Sequence, residues 1–325
     1  MSKVETSFLV ASKLHAALSS VIRGRGDTIS LVITALLADG HVLLEDYPGS
    51  GKTTLTKTLG RLIEDDRSLD EKNKSAILPF RRIQFTPDLL PGDILGVNVF
   101  EPKSGTFNFI HGPIFAHVLL ADEMNRTGPK VQAAFLECMA EKQVTIDNVS
   151  YRLDPLFFVV GTQNPLDVAG TYPLPIVQLD RFLLRVPMSY VSAEIEEEVL
   201  ATHSTLIKTS QEIHPVVSRS QLLHAREEVE RVTVSRELRQ AIVEIVQATR
   251  VHPLIQFGAS TRAALMLQQA MKAWAASKSR DYATEDDLKF LARYVLSHRL
   301  KFVGNSANES LDEIILPVID HLSAS

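Results

Sequence analysis

Two short segments of the chain carry the groups that chemistry on phosphates requires. The first, Asp46-Tyr47-Pro48-Gly49-Ser50-Gly51-Lys52-Thr53, follows the apolar run His41-Val42-Leu43-Leu44 and precedes a helical pattern over residues 54–62. Glycines let a backbone bend tightly around phosphate oxygens, and N–H groups at a helix start attract anions. A lysine then reaches the β and γ oxygens and a hydroxyl ligates magnesium. Lys52 and Thr53 fit those last two roles, with Pro48, Gly49, Ser50, Gly51 and Thr54 as the remaining expected nucleotide contacts. The strict pattern begins with glycine; here Asp46 takes that place, a carboxylate that either weakens anion binding or supplies a turn and points outward.

The second segment is the buried-strand run Val118-Leu119-Leu120-Ala121, which ends in Asp122-Glu123. A parallel strand near the glycine turn delivers its C-terminal acids toward a magnesium ion and an attacking water, as phosphoryl transfer demands. Asp122 is the expected holder of the Mg²⁺ shell and Glu123 the group that polarises water. A further apolar run over 157–161 ends in Thr162-Gln163-Asn164-Pro165. A strand placed between the other two would bring a polar side chain to the γ-phosphate or the water, and Asn164 is the candidate.

These segments need elements to position them. The segments 41–44, 81–85, 118–121, 157–162 and 182–186 read as strands separated by helical patterns, which predicts an α/β chain with a parallel sheet covered on both faces. Residues 97–110 read as an inserted β-hairpin, and 144–153 as a second one around Asp147-Asn148. The stretch 64–74 is dense in charge without periodicity and reads as a solvated loop. After Tyr190 only helical patterns remain, with Ser235, Ser260 and Thr284 as candidate caps. The expected division is an α/β core over 1–189 and a smaller all-helical domain over 190–325.

Composition narrows the function. The 325 residues are 45% hydrophobic and 22% charged, a packed-protein balance rather than a disordered one. No apolar run approaches the ~20 residues that a membrane-spanning helix needs. The formal charge of −5, from 34 Lys plus Arg against 39 Asp plus Glu, gives no general reason to bind nucleic acid. The one cysteine, Cys138, closes no intramolecular disulfide and shares an apolar helical stripe with Val131, Phe135 and Met139, so a packed thiol and a reducing, cytoplasmic setting are expected. The ten histidines show no zinc-type pairing. Magnesium is the one metal expected.

Taken with Arg82-Ile83-Gln84-Phe85-Thr86-Pro87-Asp88-Leu89-Leu90-Pro91, Gly170-Thr171-Tyr172-Pro173-Leu174-Pro175 and Gln178-Leu179-Asp180-Arg181-Phe182, the three segments above make the chain resemble the MoxR family of AAA+ ATPases from about residue 10 to about 300. The resemblance implies an AAA+ P-loop core with a β-hairpin inserted in helix 2 (residues 97–110), a hairpin before sensor 1 (144–153), and a small all-α lid. It implies ATP and Mg²⁺ as cofactors, Asn164 as sensor 1 and Arg262 as sensor 2. On the helix carrying Leu267, Ala270, Met271 and Trp274, Arg262 falls roughly 140° from the buried face, free to meet a ligand. It also implies a homo-oligomeric ring, a hexamer by expectation, in which a neighbour's arginine touches the γ-phosphate. Arg181 is the choice and Arg185 the reserve. Adenine is expected near residues 21–24.

The function so implied is ATP-driven, chaperone-like remodelling, maturation or metal insertion of protein complexes, together with a partner carrying a von Willebrand factor A domain. Three other readings stand beside it. A nucleic-acid-associated motor needs basic hairpin tips, yet the tips here offer Glu101 to Gly105, with one base and one acid, and Asp147-Asn148. A magnesium-chelatase-type subunit would share the partner type and differ in a pigment-chelation assay. A nucleotide-binding switch that hydrolyses little would follow if Asp46 impairs the site.

Overall fold

The five candidate strands assemble into one sheet whose inner strands are apolar because both of their faces are covered, while the edge strand that contains Arg81 and Arg82 is largely exposed. The computed structural model describes residues 3–46, 49–68, 77–163, 172–303 and 307–323. The strands are β1 (Val42–Asp46), β2 (Leu78–Gln84), β3 (Ala116–Asp122), β4 (Phe158–Gln163) and β5 (Leu184–Met188). They are parallel and run in the order β5-β1-β4-β3-β2. All seven residues of β3 are buried, the signature of a strand covered on both faces. Between β1 and its sequence successor β2 lie two other strands, so the order reverses beside β1. Ligands of open α/β sheets bind in the crevice at such a reversal, outside the strands' carboxyl ends. β1, β4 and β3 stand side by side there.

The last strand begins two residues later than the sequence pattern indicates. Phe182 and Leu183 belong to a turn instead, with the Leu183 N–H donating to His41 O at 2.7 Å. The Phe182 ring is fully buried and lies over Gly161 of β4, where an added Cβ would come within 2.8 Å of the ring.

The helices are α1 (Glu5–Ser19), α2 (Gly26–Leu37), α3 (Lys52–Arg61), α4 (Pro91–Leu95), α5 (Pro129–Glu141), α6 (Ile176–Leu179), α7 (Ala193–Glu212), α8 (Arg219–Glu230), α9 (Arg236–Val251), α10 (Thr261–Ser277), α11 (Glu285–Leu296) and α12 (Ala307–Ser323). Ser235, Ser260 and Thr284 cap α9, α10 and α11 as their spacing predicts, and Thr284 with Asp287 forms a reciprocal capping box. The start of α1 has no cap of its own; Glu228 of α8 supplies one, accepting from the N–H groups of Thr6 at 3.2 Å and Ser7 at 2.7 Å. Cys138 is a packed thiol, as expected, with its pKa pushed up to about 12 by burial.

Both expected hairpins form. The insert hairpin pairs Gly96–Glu101 with Thr106–His111, and the second pairs Gln143–Ile146 with Val149–Arg152. Asp147 and Asn148 both take positive φ, the tight-turn geometry that suits a two-residue hairpin loop. The hairpins touch: Asn98 Nδ2 donates to Asp147 Oδ2 at 2.7 Å, and the Phe109 and Tyr151 rings stack with centroids 4.0 Å apart.

Two expectations are corrected. Strands do not stop at residue 190: Val217–Ser218 pairs in parallel with Ile63–Glu64, and Ile255–Phe257 pairs with Lys301–Phe302. These pieces are two or three residues long, too short to leave a period in the sequence. The charged stretch from residue 64 is not a free loop at its start. Asp65 and Arg67 are mostly buried and bonded to each other at 2.6 Å; residues 69–76 lie outside the described residues.

What draws that segment in is Asp154, buried beneath the sheet. It accepts from Arg219 Nε at 3.0 Å, faces Arg67 at 3.8 Å and His117 at 3.6 Å, and receives the Leu156 N–H at 2.8 Å. Burial alone would raise its pKa, but the His117 ring, the Leu156 N–H and the Arg219 guanidinium together hold the carboxyl well below the usual range. With the folded value depressed, the stabilisation is complete above the unfolded-state value near about 4 and is lost as pH falls below it. Asp154→Asn should therefore cost about 3 kcal/mol at neutral pH, measured by urea unfolding, and should flatten the loss of stability between about pH 5 and pH 3.

Candidate functional site

The glycine turn leaves β1 and enters α3 directly at Lys52. Gly49 and Gly51 take φ of +85° and +90°, and no atom lies within 4 Å of the Cβ that either would carry. The left-handed backbone, rather than lack of space, is therefore what demands glycine at both. No side chain caps the start of α3 and its first turn contains no acid, so its N-terminal N–H groups and dipole face a position suited to phosphate. Thr53 is half-buried in that first turn and Thr54 is exposed. Tyr47, Pro48 and the side chain of Asp46 lie outside the described residues.

The acid pair arrives beside this turn. Asp122 ends β3 and Lys52 Nζ lies 3.3 Å from its Oδ1. Thr162 of β4 donates its hydroxyl to the same Oδ1 at 2.7 Å, and Arg82 of β2 donates to Oδ2 through Nη2 at 2.6 Å and Nε at 3.2 Å. Burial works to raise the Asp122 pKa. The hydrogen bonds from Thr162 and Arg82, with the charges of Lys52 and Arg82, outweigh it and hold the carboxyl below its ordinary value. Asp122 is thus an ionised oxygen donor next to the hydroxyl-bearing start of α3, a hard donor set of the kind magnesium takes.

Glu123 leaves the strand with φ 56° and ψ 50°, a left-handed conformation uncommon for a residue with a side chain. Its backbone is fixed by the N–H donating to Thr162 Oγ1 at 2.9 Å. Its carboxylate is fixed at Oε2, which accepts from Gln84 Nε2 at 2.7 Å and pairs with Arg126 at 3.2 Å. Arg82 also donates to Gln84 Oε1 at 2.6 Å. The two acids are therefore linked through Arg82 and Gln84 on the edge strand and through the single hydroxyl of Thr162.

Arg82, Gln84, Thr162 and Arg126 are the residues that the sequence analysis did not place in the site. A signal existed for the first two: an arginine and a glutamine two apart on a strand share one face. Which strand would lie beside Asp122 was not readable, since β2 pairs with β3 only through the sheet's strand order. Asn164, the residue after β4, lies outside the described residues, although β4 does run between β1 and β3 as anticipated for it.

A cavity of about 710 Å³ opens from the glycine turn along α3. Val21, Ile22 and Arg23, within the segment expected near adenine, line it together with Gly49, Ser50, Gly51 and Thr54. Its far wall is α7, a helix with no buried residue. That helix is tied at one end by Arg23 to Glu198 at 3.2 Å and at the other by Arg61 to Ser210 O at 3.0 Å.

Arg262 stands in the first turn of α10, half-exposed as expected, with Nε 3.6 Å from Asp180 Oδ2. Arg181 does not pair with Asp180; its Nη1 donates to Val177 O. Arg185, on β5, is bound to Glu45 of β1. Among the described residues no cluster of three or more His, Cys, Asp or Glu forms a metal site, and no helix is long and apolar enough to cross a membrane.

Comparison with known proteins agrees with this geometry. Residues 41–184 match the model of the ATPase family associated with various cellular activities (AAA), and residues 247–318 match the AAA lid domain. The uncharacterized protein YeaC of Bacillus subtilis (strain 168) is 42% identical over 309 residues, 93% of this chain and 92% of that protein. Chaperone MoxR1 of Mycobacterium tuberculosis is 35% identical over 306 residues, covering 91% of this chain and 77% of the relative. The crystal structure of an ATPase candidate from Cytophaga hutchinsonii superposes with a TM-score of 0.83 at 37% identity, covering 97% of this chain and 96% of that one. A P-loop, an adjacent acid pair and a helical lid, carried by a sequence this similar, identify the chain as a member of the MoxR family of AAA+ ATPases.

Proposed function

We propose that this ATPase hydrolyses Mg-ATP between the glycine turn and the acid pair, and uses the cycle for chaperone-like remodelling, maturation or metal insertion of partner protein complexes. The observation that carries the proposal is the junction of Lys52, Asp122 and Thr162, where the start of α3 and the ends of β3 and β4 converge on one carboxylate. The backbone of Gly49, Ser50 and Gly51, with Lys52, cradles the β and γ phosphates, and Pro48 and Thr54 complete the contacts. Thr53 and Asp122 hold magnesium, which supplies charge neutralisation on the phosphates. Glu123 polarises the attacking water and Asn164 orients it. Arg262 reads the γ-phosphate from the lid.

The trans arginine is assigned to Arg181 of a neighbouring subunit in a homo-hexameric ring. The commitment of Arg185 to Glu45 favours that choice. We infer the functional division 1–189 and 190–325, the second part moving as the lid. A von Willebrand factor A domain protein is the expected partner and the cytoplasm the expected setting, with no nucleic acid. The family and the chaperone name of one relative support the remodelling role, and the near-neutral hairpin tips argue against a DNA wedge.

Lys52→Ala should abolish ATP binding in a fluorescence titration, whereas Glu123→Gln should bind ATP and lose turnover by at least about a hundredfold. Full activity in either variant would break the assignment. Thr162→Val, nearly isosteric, removes the bond to Asp122 and the anchor of the Glu123 N–H; its kcat should fall about tenfold or more with ATP affinity nearly kept. Equal loss in both parameters would make Thr162 a binding group instead. For Arg181, mixing Arg181→Ala with Lys52→Ala chains should restore part of the activity that each lacks alone, since an arginine supplied in trans contributes roughly 10³ to 10⁵ in rate. Strictly additive rates from demonstrably mixed oligomers would count against it.

A further inference from the structure

One carboxylate joins the lid to the turn that carries Arg181. Arg299 comes from the 3₁₀ turn Ser297–Arg299 that follows α11, and its side chain is only 2% exposed. Its Nε donates to Asp180 Oδ1 at 2.7 Å, its Nη1 to Leu183 O at 3.3 Å and to Val295 O, and its Nη2 to Phe182 O. His298 adds a bond from Nε2 to Phe182 O at 2.9 Å. Burial draws the Arg299 pKa down to about 10, and the Asp180 charge is what chiefly resists that fall. The guanidinium fork is therefore saturated and locked. The other oxygen of Asp180, Oδ2, faces Arg262, which is 49% exposed and 3.6 Å away. Both partners come from the lid, one buried and fully bonded, the other wet and loosely held.

We propose that Asp180 is a positioning residue that competes with the terminal phosphate of bound ATP for Arg262, while Arg299 holds it in place. The proposal rests on the reading of Arg262 as the lid's phosphate sensor. Carboxylate and phosphate are alternative partners for one guanidinium. The exposed Arg262 pair is weak and easily exchanged; breaking the buried Arg299 pair would strand a charge, so that pair persists. The exchange is therefore one-sided. Arg262 leaves Asp180 for the nucleotide, and the turn before Arg181 stays attached to the lid. Asp180 lowers affinity for ATP selectively, because ADP has no γ-phosphate to compete for the arginine.

The test is a double-mutant cycle on the full chain, with the Kd of a non-hydrolysable ATP analogue and of ADP measured for the parent, Asp180→Asn, Arg262→Ala and the double variant. Asp180→Asn should tighten ATP-analogue binding about two- to fivefold, leave ADP unchanged, and have no effect once Arg262 is alanine. A gain shared equally by ADP, or one that survives in the Arg262→Ala background, overturns the proposal, since a merely structural role predicts no such selectivity. If Arg262→Ala weakens the analogue while Asp180→Asn changes nothing, the competition alone falls and the sensor reading stands. If Arg262→Ala is silent by itself, both fall together. Should Asp180→Asn fail to fold, Asp180→Asn with Arg299→Met removes the buried charge along with its partner and takes its place in the cycle.

Discussion

The site depends on keeping one buried carboxylate ionised. Asp122 sits at the end of a strand buried along its whole length, where an unpaired acid would protonate. Four bonds or charges from three directions prevent this: Lys52 from the helix after β1, Thr162 from β4, and Arg82, with two contacts, from β2. Each of those elements is a neighbour of β3 or stands above it. The sheet order is thus the means by which the acid's counter-charges are brought to it, and a different order would leave Asp122 with part of its set.

The neighbouring Glu123 is treated differently. Its left-handed backbone turns it off the strand axis, and the Thr162 hydroxyl serves both acids by donating to one and accepting from the N–H of the other. One oxygen of Glu123 is tied to Gln84 and Arg126. One carboxylate of the pair is thereby given a fixed direction without being buried, while the other is buried and saturated. Two adjacent residues acquire separate chemistry from a single hydroxyl and a change of backbone hand.

Much of this was legible in the sequence for physical reasons. Buried parallel strands read as apolar runs, helix caps recur at fixed offsets, and glycines with positive φ are conspicuous where a lysine and a hydroxyl follow. The core strands, both hairpins, the caps at Ser235, Ser260 and Thr284, and the arrival of the strand that ends in Asp122 beside the glycine turn were all expected on those grounds. Pairings made by tertiary contact were not legible. Nothing local to Arg82 or Gln84 says that β2 will be the strand beside Asp122, nothing at Arg299 says that it will be buried against Asp180, and Glu228 caps a helix that begins more than two hundred residues earlier in the chain. Strands of two or three residues such as Val217–Ser218 also carry too little pattern to be read. The charged stretch after Glu64 reads as a loop for a related reason: Arg67, which pairs with Asp65, also faces a buried acid, Asp154, that the local sequence does not contain.

The joined hairpins have a mechanical meaning. The insert hairpin is rooted just ahead of β3, whereas the second hairpin is rooted after α5 and just ahead of β4. The Asn98 bond and the Phe109–Tyr151 stack join the second hairpin to the base of the insert hairpin, at the cross-strand pair Asn98 and Phe109, and make the two a single plate with two separate stems. A plate on two stems converts a small slide of one stem past the other into a tilt, as a seesaw does. β3 and β4 bring the acid pair and Thr162 to one end of the sheet and root the joined hairpins at the other, so a slide between these two strands would tilt the plate that bears the exposed aromatic pair Phe100 and Phe107.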